Sequence, residues 1–144
     1  APMKVLDAVD IFHEKNYFST EDTRKLFGRA RELGIPRKIH ADELNDNDGA
    51  SLAAEYEALS ADHLLKVSAE GIQKLATAST VATLLPGTAF FLGKPLAPAR
   101  ALLDAGAKVA IATDYNPGSS HVDNLLLVGS IAAPQLKMNQ AELW

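Results

Sequence analysis

Short β-branched or apolar runs alternate along this chain with longer segments of helical period, and that alternation sets the fold class. Strands are predicted at Ala8–Phe12, Arg37–His40, Ala58–His63, Thr80–Leu85 and Lys108–Thr113. Between the first two lies STEDTRKLFGRARELG, where Ser19 or Thr20 can cap, acidic residues fill the first turn, and Leu26, Phe27, Ala30 and Leu33 form one apolar stripe. Gly34 and Pro36 then end it. DGASLAAEYEA, SAEGIQKLATA with its cap at Ser68, and APARALLDAG closing on Gly106 follow the same plan. These connections are too long for hairpins, so the strands run parallel under a cover of helices.

The length of 144 residues allows one domain with a real core, whereas a closed parallel barrel takes roughly 250. With 14 Lys+Arg against 18 Asp+Glu and no basic block, the chain lacks the electrostatic footprint of a nucleic-acid or anionic-membrane binder. Its longest nearly apolar stretch, Leu125–Ala133, is far short of the roughly 20 residues that span a bilayer. The opening APMKVLDAVD carries no signal-peptide pattern. The absence of cysteine excludes disulfides and thiolate chemistry, and a cytoplasmic location is expected. No linker or low-complexity segment divides residues 1–144.

The repeat has a second component. A polar or turn-forming residue stands at each predicted strand end: His13, His40, His63, Pro86 and Asp114, spaced by 27, 23, 23 and 28 residues. In parallel α/β folds the loops after the strand C-termini build the ligand site, so these side chains are expected around one mouth. Imidazole nitrogen and carboxylate oxygen from His40, His63 and Asp114 suit zinc or ferrous iron, and a cation there would make a hydroxide-like nucleophile of water. Glu43, three residues beyond His40, could hold a substrate N–H or move a proton. Thr113–Ser120 (TDYNPGSS) leaves a strand with an Asp and turns at once, bringing an amide, backbone N–H groups and hydroxyls to the mouth. Hydrolysis of a C–N bond follows.

Other features have plainer readings. A His at a strand end is commonly a hydrogen-bonded structural residue; His13 is expected to pair with its neighbour Glu14, and His121 to lie at the surface. The acidic run Asp42–Asp48 lacks the EF-hand pattern and for most of its length reads as a solvated loop leading into a helix. The glycines form no GxGxxG or P-loop arrangement, and Ser119–Ser120 lack the GxSxG elbow, so neither a nucleotide site nor a serine hydrolase is supported.

KIHADEL at 38–44, SADHL at 60–64, TVATLLPG at 80–87 and LLDAGAKVAIATDYNPGSS at 102–120, followed by NLLLV, resemble the imidazolonepropionase family of the amidohydrolase superfamily. The resemblance runs from about VDIFHEKNYFS at 9–19 over nearly the whole chain, and HADE, SADHL and TDxNPGSS together favour this family over guanine deaminase or dihydroorotase. It implies roughly strands 4–8 of a (β/α)8 metal-dependent hydrolase barrel. It implies that His40 and Asp114 are ligands of a single zinc or iron ion and that His63 helps to activate water. Glu43 would contact the ring and assist proton transfer, while Asn116, Gly118 and Ser119 hold substrate and product. The implied reaction opens 4-imidazolone-5-propanoate to N-formimidoyl-L-glutamate in histidine breakdown.

One departure is large: no His-x-His occurs anywhere in the chain, although the family's first metal-binding motif has that form. The substrate-gripping residues of earlier loops and the small β-sandwich are missing too. A catalytic zinc takes three protein ligands, and recruiting His63 as the third would remove the residue that activates water. The chain alone is therefore expected to bind metal weakly and to lack turnover, with the N-terminal half of the barrel as its missing partner and a homodimer as a possible state of the full-length protein. Such a partial barrel would expose two sheet edges and an apolar interior. Two alternatives stand beside this reading: a non-catalytic flavodoxin-like binding module of five βα units, and another cyclic amidase or deaminase of the superfamily.

Overall fold

The computed structural model describes residues 6–144; residues 1–5, part of the segment read for a leader pattern, lie outside the described residues. Five strands alternate with helices: β1 (Val9–His13), α1 (Thr20–Glu32), β2 (Arg37–Ala41), α2 (Gly49–Glu55), β3 (Ser60–His63), α3 (Ala69–Thr77), β4 (Val81–Leu84), α4 (Pro86–Phe91), α5 (Ala99–Asp104) and β5 (Lys108–Ile111). The helices α6 (Leu125–Gln135) and α7 (Gln140–Leu143) follow. Every strand pairing is parallel, and the order is β1-β2-β3-β4-β5.

That order decides between the fold alternatives. Right-handed crossovers that always step the same way put every helix on the same face of the sheet, whereas a doubly wound sheet reverses direction and covers both faces. The sheet here never reverses, so the flavodoxin-like alternative falls and a partial (β/α) barrel stands.

Local chemistry explains the helices. In α1, Ser19 Oγ accepts the Asp22 N–H at 3.2 Å while the Asp22 carboxylate accepts the Ser19 N–H at 2.9 Å, a reciprocal cap. Gly34, at φ +66°, then turns the chain towards β2. Ser68 caps α3 by accepting from Gly71 N at 3.1 Å, and Gly106 turns into β5 at φ +89°.

The two faces of the sheet differ sharply. Ile11, Ile39, Ala61, Ala82 and Val109 are register neighbours across the five strands and pack with Phe27, Leu75 and Leu102 beneath the helices. On the other face the register aligns Asp10 with Lys38 and Ser60, and His40 with Asp62 and Thr83. The expected apolar interior is thus not found. Lys38 Nζ donates to Ser60 Oγ at 2.6 Å and to Asp62 at 3.1 Å, so polar pairs occupy the face that apolar layers would fill in a packed barrel interior. Alternation had separated the faces but could not say which one would be covered.

Candidate active site

The cleft at the C-terminal ends of the strands has a volume of about 560 Å³ and is lined by His40, Glu43, His63, Asp114, Asn116 and Ser119, with Phe12, Tyr17, Leu44 and Leu92 as apolar wall. Six of the seven residues to which the resemblance gives a site role therefore share one mouth, and His13, the other strand-end histidine expected there, does not line it. Gly118 lies outside this lining, its N–H donating to Asn116 Oδ1 at 2.9 Å.

His40 belongs to the uncovered face by alternation, and its Nδ1 lies 3.1 Å from Asp10 Oδ1. That hydrogen bond and the charge of Asp10 raise the His40 pKa above its usual value. His63 reaches the same mouth by a different route. Its register partner is Ala41 on the helix-covered side, but its φ of +78° breaks the alternation at the strand end. Its ring centre consequently lies 5.3 Å from that of His40. His13 also aligns with Ala41 but has no such backbone turn, and it stays under the helices. There Nδ1 meets Thr23 Oγ1 at 3.0 Å and Nε2 meets the Asn47 carbonyl at 2.9 Å. The expected pairing of His13 with Glu14 does not form.

Glu14 is buried, and it accepts from Lys15 N, Leu44 N, Asn45 N and the Asn45 and Asn47 side-chain amides. Burial opposes its charge, yet these bonds hold its pKa below the usual carboxylate value. Asp42 also corrects the reading of 42–48 as a solvated loop. It is buried at the end of β2, and its oxygens accept the N–H groups of Asn47, Gly49 and Ala50 at 2.9–3.0 Å. The start of α2 is thereby capped from the neighbouring strand, while Asp48, next to the helix, makes no side-chain cap. Both carboxylates brace the segment that carries Glu43. Sequence reasoning missed them because a buried acidic residue looks the same as an exposed one until its N–H partners are assembled.

Electrostatics divide the titratable groups. Burial pushes the His63 pKa down to about 4, so its ring is neutral at pH 7 and the 3.7 Å approach of Nε2 to Glu43 is not an ion pair. His63 Nδ1 is buried without a partner. Burial and the charge of Asp114 push the Glu43 carboxyl upwards. Asp114 follows β5 at φ +51° and accepts from Thr88 Oγ1 at 2.6 Å, while Asn116 spends its amide inside the loop: Oδ1 accepts from Gly118 N and Ser119 N, and Nδ2 donates to the Asp114 carbonyl.

The imidazole and carboxylate donors fit a borderline divalent cation, and His63, whose buried Nδ1 has no hydrogen-bond partner, lines the same cleft. His40 and Asp114 are the two expected ligands among these groups. A second cluster, not foreseen from the sequence, brings donor atoms of Asp10, His40 and Asp62 within 4.8 Å of one another on the uncovered face.

No family model matches the sequence. An imidazolonepropionase from Bacillus velezensis is 53% identical over 136 residues, covering 94% of this chain and 32% of the relative. Another from Bacillus cereus is 49% identical over 142 residues, covering 98% of this chain and 34% of the relative. The chain is homologous to the imidazolonepropionases. It spans about a third of the length of the curated relatives it matches. Solved structures share the fold. A zinc-bound adenosine deaminase from Xanthomonas campestris superposes with TM-score 0.72 at 20% identity, covering 90% of this chain and 32% of that one. A guanine deaminase from C. acetobutylicum with bound guanine gives TM-score 0.65 at 19% identity over 84% of this chain and 32% of that one.

Proposed function

We propose that this chain supplies part of the active site of a metal-dependent hydrolase that opens 4-imidazolone-5-propanoate to N-formimidoyl-L-glutamate. The observation that carries the reading is the convergence of His40, Glu43, His63 and Asp114 on one cleft, in a chain about half identical to imidazolonepropionases. His40 and Asp114 would hold a single zinc or iron ion, which when bound supplies an acidified water and polarises the ring carbonyl. His63, neutral and buried, takes the proton that water loses as it adds to that carbonyl. Glu43, its carboxyl pushed upwards by burial and 3.7 Å from His63 Nε2, would receive that proton from His63 and pass it to the leaving ring nitrogen as the C–N bond breaks. The Asn116 loop, folded on its own amide, presents Ser119 to the substrate, with Gly118 shaping the turn.

In this reading residues 1–144 form one partial barrel domain in the cytoplasm, completed by strands that bring a His-x-His ligand pair and by a small β-sandwich, with the completed protein a homodimer. The chain is assayed with zinc or iron, alone and together with a polypeptide supplying the remaining strands. Release of N-formimidoyl-L-glutamate is expected only from the completed barrel and lost in H40A and D114A. Full activity in those variants, or turnover of guanine instead, would overturn the proposal.

A further inference from the structure

We propose that Asp10 is a positioning residue that fixes the tautomer of His40 and leaves His40 Nε2 as the nitrogen available in the cleft. Asp10 lies on β1, diagonally across the register from His40 on β2, and the two side chains share the uncovered face. Its Oδ1 lies 3.1 Å from His40 Nδ1 and also accepts the Ile11 N–H at 2.7 Å, which ties the carboxylate to its own strand. A carboxylate can only accept, so the proton of the neutral imidazole sits on Nδ1. Asp62, the other acid beside His40, has its Oδ2 held by Lys38 Nζ at 3.1 Å; its Oδ1 is buried without a hydrogen-bond partner, and only Asp10 is hydrogen-bonded to the His40 ring.

A ligating histidine gains orientation and basicity when its second nitrogen donates to a carboxylate. Neutral histidine in water favours the opposite, Nε2–H form, so Asp10 selects the minor tautomer. The use made of Nε2 rests on the hydrolase reading; the tautomer does not.

Long-range ¹H–¹⁵N correlation of the histidine rings in the full chain at pH 9 reads the tautomer directly. Nδ1–H is expected at His40, replaced by Nε2–H in D10A and kept in D10N, whose side-chain oxygen still accepts. The His40 and Asp10 side chains are 35% and 40% exposed, so water reaches the ring in D10A, and D10N covers the case in which D10A unfolds. Added zinc should shift His40 Nε2, with half-saturation rising about 10- to 100-fold in D10A. Nε2–H in the unsubstituted chain, Nδ1–H surviving D10A, or a zinc shift on Nδ1 would each sink the inference, the last because it assigns the metal to the Asp10, His40 and Asp62 cluster. If these signatures hold while the completed barrel fails to hydrolyse the imidazolone, the functional reading fails alone.

Discussion

Asp42, His63 and Asp114 stand at or just beyond strand ends with φ of +52°, +78° and +51°, a region that costs a side chain about 1 kcal/mol or more. At His63 that backbone cost brings an imidazole from the helix-covered side into the cleft. Its burial has a measurable consequence. The unfolded histidine takes a proton near 6.5, whereas the folded one resists until about 4, so the unfolded chain binds more protons across that window. Stability is full above pH 6.5 and falls as pH drops towards 4, by up to about 1.4 kcal/mol per pH unit. Urea midpoints from pH 7 to 4.5 should show a fall that H63N, which tolerates the same φ, makes shallower. His40 acts with the opposite sign, since its raised pKa adds stability at low pH that is lost as pH rises through the folded value. For Asp42, which holds three N–H groups at the start of α2, D42A should lower unfolding free energy by about 2 kcal/mol in urea titrations.

Two helix starts show how element stability and site geometry differ. Removing the reciprocal cap of α1 by S19A should cost about 1 kcal/mol in urea titrations and leave zinc binding unchanged, because that cap touches nothing in the cleft. Gly49 is another matter. A Cβ there would meet Ala41 Cβ at 2.8 Å and Ala41 Cα at 3.1 Å, so G49A must push α2 away from the end of β2. We expect about 1–3 kcal/mol of destabilisation, together with a shift of the His40 ring resonances, because β2 carries His40 and the loop beyond it Glu43. A change confined to stability would show that the strand end does not depend on that close approach.

At the scale of the molecule, β1 and β5 are sheet edges that no strand pairs among the described residues, and the face between them carries Asp10, Lys38, His40 and Asp62. Polar pairs can meet water as an apolar interior cannot, but the open edges still offer unpaired N–H and C=O groups. The chain alone should therefore form species heavier than one chain at micromolar concentration by sedimentation, and a polypeptide supplying the remaining strands should convert them to a defined complex. A strictly monomeric chain at high concentration would show that these edges are protected. Among the described residues no helix is long and apolar enough to cross a membrane.

The sequence by itself determined the five βα units, the helix starts at Ser19 and Ser68, and the strand-end placing of His40, His63 and Asp114, because periodicity, capping and turn chemistry are local. It could separate His40 from Ala41 by alternation. Tertiary structure alone decided the unreversed strand order, the polar uncovered face, the swing of His63 out of alternation, and the burial of two acidic acceptors, Asp42 for the N–H groups at the start of α2 and Glu14 for groups 30–33 residues away. Each depends on partners up to 33 residues away in the chain, and no local pattern carries that information, since the worth of a charged side chain is set by what surrounds it after folding.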